Sequence, residues 1–256
     1  MSRIEHLFRQ KRRRVLNMYC TAGFPSLDST RKVIKALQDG NADMIEIGIP
    51  YSDPLADGPV IQESGTRALE NGMTIALLFE QLKTLREEIH LPVILMGYMN
   101  PVLQYGFEEF CKKAADTGID GLILPDLPIY EFENKYGPLI KQHGLDFIFL
   151  VTPETAPERI RKLDALSSGF LYAVSSSTTT GNDKALGDQE SYFKKLQDMQ
   201  LKNPLLIGFG IRDKNSFDLA CRYANGAIIG SAYIKVLGQS REIGRPTREF
   251  LFSIIN

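Results

Sequence analysis

The chain has 256 residues, and its 30 Lys+Arg against 31 Asp+Glu leave a formal charge of −1, so no electrostatic case exists for nucleic acid or an anionic membrane as partner. With 43% hydrophobic and 24% charged residues the composition is globular, which argues against disorder. The longest apolar stretches, 91–96 and 147–151, fall far short of the roughly 18 residues that span a bilayer, so a soluble protein is expected.

In chain order, Ile4, Leu7 and Phe8 have helical spacing, and the basic run Lys11-Arg12-Arg13-Arg14 reads as the end of that helix, where cations complement its dipole. No apolar segment follows the run, so it is not read as a targeting peptide. From there one unit repeats: an apolar β-type run, a glycine- or proline-rich turn, then an amphipathic segment. The runs are 15–21, 44–48, 93–97, 121–124, 147–151, 170–175, 205–208 and 227–230. Helices are predicted over 26–39, 74–88, 107–117, 130–143, 156–166, 188–200, 214–223 and 247–255, three of them closed by Gly40, Gly118 and Gly144. Extra helices are predicted over 60–71, after the second run, and over 232–237, after the eighth. Eight βα units with no dividing linker predict an α/β fold, a single-domain TIM barrel, (β/α)8, over 1–256, in preference to an open doubly wound sheet. Chemistry is then expected where the loops after the strands converge.

Absences narrow that chemistry. None of His6, His90 and His143 follows a strand, so neither a histidine metal site nor a histidine triad can be drawn, and no metal is expected. Cys20, Cys111 and Cys221 fit no disulfide framework or ligand spacing, which suits a reducing cytoplasm. No lysine lies within a run, which weakens a Schiff-base mechanism, although Lys184 or Lys235 could reach inward.

Glu46 is a charged residue inside the apolar run Met44-Ile45-Glu46-Ile47-Gly48. Such a group is paired, protonated or used: it either points out to a crossover helix and an ion pair, or its burial raises its pKa and suits it to general acid–base work. The following loop, 50–59, carries Asp53 and Asp57 and is stiffened by three prolines, Pro50, Pro54 and Pro59. Asp57 is either a turn former and helix cap or a second functional acid, while Asp53 reads as a structural or partner-contact residue. Late in the chain Gly208-Phe209-Gly210 and Gly230-Ser231 follow consecutive strands, where bare backbone N–H groups at a helix start form an anion seat; a phosphorylated substrate is implied. The polar stretch 175–184 is either a surface loop or a lid. Tyr19, Tyr98, Tyr172 and Phe209, at strand ends, either line a pocket or fill core.

The segment Glu46-Ile47-Gly48-Ile49-Pro50-Tyr51-Ser52-Asp53-Pro54-Leu55-Ala56-Asp57-Gly58-Pro59 closely resembles the signature of the tryptophan synthase α subunit family. The similarity continues through Tyr98-Met99-Asn100-Pro101, Leu124-Pro125-Asp126-Leu127-Pro128, Gly208-Phe209-Gly210-Ile211 and Gly226-Ala227-Ile228-Ile229-Gly230-Ser231. The resemblance implies a (β/α)8 barrel that cleaves indole-3-glycerol phosphate to indole and glyceraldehyde 3-phosphate without a cofactor of its own. It implies a β-subunit partner that holds pyridoxal phosphate in an α2β2 complex. Carried over, Glu46 is the acid–base group and Asp57, kept ionised in a wetter loop, accepts the indole N–H. Tyr19, Tyr98, Ile123 and Tyr172 become substrate-binding positions, and Thr180, Gly181, Gly208, Phe209, Gly210, Gly230 and Ser231 phosphate-side ones. Two departures stand out: Ser176 and Thr178 replace the family's usual arginine and glycine, and Phe24 replaces a common acidic residue. The first motivates an alternative, a catalytically impaired subunit that only activates a β partner; a free-standing lyase or isomerase for another sugar phosphate is a third reading.

Overall fold

The structure, a computed structural model, describes residues 1–174, 190–208 and 210–256. Its strands are β1 (Val15–Thr21), β2 (Met44–Gly48), β3 (Val93–Met96), β4 (Gly121–Ile123), β5 (Asp146–Phe147), β6 (Leu150–Val151), β7 (Leu171–Val174), β8 (Leu205–Gly208) and β9 (Gly226–Ile229). All pair in parallel, in the order β5-β4-β3-β2-β1-β9-β8-β7-β6. The two ends of that order are separated in the chain only by Ile148 and Phe149. Those two residues close the sheet: Ile148 N–H donates to the Leu122 carbonyl, and the Phe149 carbonyl accepts from Tyr172 N–H, both at 3.0 Å. The result is the expected TIM barrel, its fifth strand in two pieces.

Side chains alternate across each strand, so every second residue points into the barrel. Val15, Met44, Ile94, Ile123, Ile148, Phe170, Leu206 and Ile228 fill the interior. The intervening Leu16, Met18, Ile45, Ile47 and Leu95 pack outward into the core shared with the helices. Strands buried on both faces are apolar almost throughout, which is why the runs stand out in the sequence. No helix among the described residues is long and apolar enough to cross a membrane.

Helix Arg3–Gln10 plugs the floor of the barrel. Ser2 caps it by accepting the Glu5 N–H at 3.1 Å, and Ile4 and Phe8 enter the interior cluster, with the Phe8 ring 6.2 Å from that of Phe170. Arg3 Nη1 donates to Asp120 at 2.9 Å, and the same carboxylate holds Arg86. Ile4→Ala is expected to cost about 2–5 kcal/mol, because the strand ends around this site cannot collapse into the void, and a lowered urea midpoint would register it. The basic run is not part of this helix. The helix ends at Gln10 with Arg9 in its last turn; Lys11 is extended and Arg14 takes φ +57, and they pair with Asp43 and Asp218, each at 2.6 Å. The cations tie the entry to β1 to neighbouring barrel segments instead of serving the helix dipole.

Among the helices, Ser29–Asp39, Phe107–Asp116, Pro157–Leu166 and Lys214–Tyr223 lie within the predicted spans. The segment expected over 74–88 is broken into Ile75–Leu82 and Leu85–Glu88. That expected over 130–143 contains a π turn, Phe132–Tyr136, just before Gly137–Gln142; Pro138 offers no N–H to the ladder there, and Gly137 N–H reaches back to the Phe132 carbonyl. Helix Met99–Tyr105 was not expected; its Pro101 sits in the first turn, where a missing N–H is tolerated. The extra helices after the second and eighth runs are present as Pro59–Glu70 and Ser231–Gln239. Phe24 joins the core under the Arg67 guanidinium, 5.6 Å from the ring centroid.

Candidate active site

A cavity of about 810 Å³ opens at the C-terminal ends of the strands and brings together Tyr19, Glu46, Asp57, Tyr172, Gly210, Gly230 and Ser231. Glu46 stands opposite Tyr19 in the β1–β2 register and is only 1% exposed. Its Oε2 accepts the Asn17 Nδ2–H at 3.0 Å, and its Oε1 has no hydrogen-bond partner. Burial pushes the carboxyl from 4.5 up to about 8; the Asn17 hydrogen bond pulls it down and the nearby Asp57 charge raises it. Of the two fates open to a glutamate in this run, the inward one is realised, and among the described residues no cation pairs with the carboxyl.

Asp57 lies in the loop that leads into Pro59–Glu70, with Gly58 as that helix's N-cap residue. As expected, it is wetter than Glu46: Asp57 is half-buried where Glu46 is fully buried. Partial burial still raises its pKa, opposed by a hydrogen bond from the Tyr98 hydroxyl. Tyr98 therefore acts from outside the cavity lining: its hydroxyl also accepts the Ala56 N–H at 3.0 Å, fixing the loop from the segment after β3, and its ring packs 5.6 Å from that of Tyr51.

Two glycines set the tyrosines that flank Glu46. A Cβ at Gly48 would overlap the Tyr19 hydroxyl, and one at Gly208 the Tyr172 hydroxyl, so each ring lies across the bare end of a neighbouring strand. Gly208 thus supports Tyr172 and is not itself in the lining. Ile123 is fully buried in the interior cluster. Thr180, Gly181 and Phe209, together with Ser176 and Thr178, lie outside the described residues.

At the other end of the cavity Gly230 precedes helix Ser231–Gln239, whose first N–H groups have no intrahelical acceptor and whose dipole favours an anion. Gly210, at φ +73, holds a conformation that a side chain would strain. Lys235, one turn after Ser231, and Arg212 also line the cavity. The helix-start N–H groups, Lys235 and Arg212 thus share the cavity with Glu46 and Asp57, and Arg212 lies 3.9 Å from Asp213, a third carboxylate in the lining. No trio of His, Cys, Asp or Glu among the described residues is placed to hold a metal.

Sequence reasoning passed over Asn17, fully buried and beside Glu46. The available signal was its polar side chain two residues before Tyr19, on the same inward face of β1.

Residues 6–250 match the family described as "Tryptophan synthase alpha chain". The chain belongs to the tryptophan synthase alpha chain family. A tryptophan synthase alpha chain from Christiangramia forsetii is 53% identical over 232 residues, 90% of this chain and 91% of the relative. One from Bacteroides thetaiotaomicron is 47% identical over 243 residues, 94% and 95% of the two chains. Among solved structures, the tryptophan synthase alpha chain of Legionella pneumophila aligns with TM-score 0.89 and 31% identity, covering 99% of this chain and 96% of that one. The tryptophan synthase of M. tuberculosis in an aminoacrylate-bound form gives 0.86 and 29%, covering 99% and 98%. The reaction of tryptophan synthase alpha chains is cleavage of indole-3-glycerol phosphate to indole and glyceraldehyde 3-phosphate. It needs no cofactor in the alpha chain; pyridoxal phosphate lies in the β subunit.

Proposed function

We propose that Glu46 and Asp57 carry this lyase reaction, with the phosphate held at Gly210, Gly230 and Ser231 and, outside the described residues, at Thr180, Gly181 and Phe209. The observation that supports it is a buried carboxyl, Glu46, with no cation paired to it among the described residues, sharing one cavity with Asp57 and with the start of helix Ser231–Gln239, an anion seat. Glu46, protonated at neutral pH, gives its proton to indole C3. The charge that develops on the indole nitrogen is balanced by ionised Asp57, which accepts the N–H. Glu46, now ionised, takes the proton of the adjacent glycerol hydroxyl; the C–C bond breaks, its electron pair returns to the indole ring, and the oxygen becomes the aldehyde of glyceraldehyde 3-phosphate. One proton is given and one regained, so Glu46 ends as it began. Tyr19 and Tyr172, kept neutral by burial, wall the indole.

The reading includes a single domain, a cytoplasmic setting consistent with three buried free thiols, and a β partner in an α2β2 complex. Supporting the partner, Leu55 and Tyr130 are 77% and 71% exposed, both on segments that follow strands, where a partner would cover them. The test is indole release from indole-3-glycerol phosphate by the purified chain, with and without a β subunit and with a chelator present. Release that survives chelation and rises with the partner is expected; none under any condition would leave the chain a regulatory subunit. Turnover is expected to be bell-shaped in pH. It falls above about pH 8 as Glu46 loses the proton it must donate, and falls on the acid side as Asp57 is protonated, above the usual aspartate range.

A further inference from the structure

We infer that Asn17 is a positioning residue for Glu46: its amide clamps Oε2 and reserves Oε1 as the oxygen that exchanges protons with substrate. This rests on the acid–base role proposed above. Asn17 pairs with Met44 in the β1–β2 register, one inward layer beneath Glu46, so it reaches the carboxyl from the side of the barrel floor and engages Oε2, leaving Oε1 as the oxygen without a partner among the described residues in a side chain that lines the cavity. Both Glu46 Oε1 and Asn17 Oδ1 are buried without a hydrogen-bond partner. A pair placed for stability alone would not leave two polar atoms unpartnered in a wall built from Val15, Met44 and Ile94, where apolar side chains would pack at no such cost. The arrangement instead fixes the plane of the carboxyl and assigns different work to its two oxygens.

The clamp also sets the proton affinity of Glu46, because a donor to a carboxylate favours its ionised form. Among the described residues, the titratable groups whose charge acts on Glu46 are Tyr19 and Cys20 from β1, Asp57 from the loop after β2, and Tyr172 from β7. Burial keeps both tyrosines neutral through the working range and pushes the Cys20 thiol up to about 12, and β3 presents only Ile94 and Met96. Asp57 raises the affinity of Glu46 and Asn17 opposes it.

The test is the pH dependence of turnover in Asn17→Leu, which keeps the shape without the donor, and in Asn17→Asp, which keeps the shape and adds a like charge. In Asn17→Leu the alkaline limb is expected to move up by about 1–2 pH units, from the loss of a hydrogen bond to a charged group. Its kcat should drop on the order of tenfold, with KM within about twofold because the phosphate seat is untouched. The limb of Asn17→Asp should move further in the same direction. Should Asn17→Leu not accumulate as folded protein, Asn17→Asp is read in its place, by kinetics and by ¹³C titration of the Glu46 carboxyl, identified by its loss in Glu46→Gln. A folded variant with the wild-type limb would overturn the inference. Full turnover in Glu46→Gln would instead remove the catalytic reading beneath it, whatever Asn17 does.

Discussion

Glu46→Gln is expected to lower indole release by about 10²- to 10⁴-fold while making the protein more stable at alkaline pH. The amide copies the shape of the protonated acid and can still accept the Asn17 N–H, but it neither gives nor takes a proton. The stability gain follows from burial. In the folded protein the Glu46 carboxyl titrates at about 8, against 4.5 when unburied. Below pH 4.5 it is protonated whether the chain is folded or not, and the stability of its neutral burial is fully present. As pH rises, the unfolded chain ionises first, and that stability is lost progressively until the folded carboxyl also ionises near 8. Glutamine escapes this loss, so the variant's advantage should grow between about pH 4.5 and 8 and then level off at a few kcal/mol. Urea unfolding of both proteins at pH 5 and pH 9 measures it. Equal stability at pH 9 would mean that the carboxyl is not held in the apolar environment on which the mechanism depends.

The same energetics explain which features are legible in the sequence. Barrel strands are covered on both sides, so the runs around Ile45, Leu95 and Ile207 are continuous and apolar, and Glu46 stands out because a charge interrupts one of them. Asn17 is chemically milder and does not interrupt its run as visibly, although its hydrogen bond to Glu46 makes it part of the same site. Asp57 is legible as the wetter of the two acids, but the extent of its burial is not. A loop rich in proline and acids reads as wet, and what the loop alone does not reveal is Tyr98, forty-one positions after Asp57, whose hydroxyl bonds both the Ala56 N–H and the Asp57 carboxyl. The supports of the two cavity tyrosines are equally non-local: Gly48 is bare for the sake of Tyr19 and Gly208 for Tyr172, relations fixed by strand register and invisible in a single run. The N-terminal helix was legible from the spacing of Ile4 and Phe8, while the use of Lys11 and Arg14 depended on where Asp43 and Asp218 arrive in the closed barrel.

Asp57→Asn is expected to reduce turnover by about 10²- to 10³-fold, the usual cost of removing one preorganised group from a developing charge. The side chain keeps its size, so the Tyr98 contact and the loop course should persist, and the deficit should fall mainly on kcat. A second consequence distinguishes this from a general disturbance of the loop. The Asp57 charge is one of the causes that raise the Glu46 pKa, so neutralising it should move the alkaline limb of the pH profile down from about 8, opposite to the shift expected when Asn17 loses its donor. The acid limb, assigned to Asp57 itself, should disappear. An Asp57→Asn protein with low activity but both limbs unmoved would place the aspartate in loop structure, outside the charge balance of the site. Opposed shifts in the two variants would instead show that the proton affinity of Glu46 is set between a donor below it and an acid across the cavity.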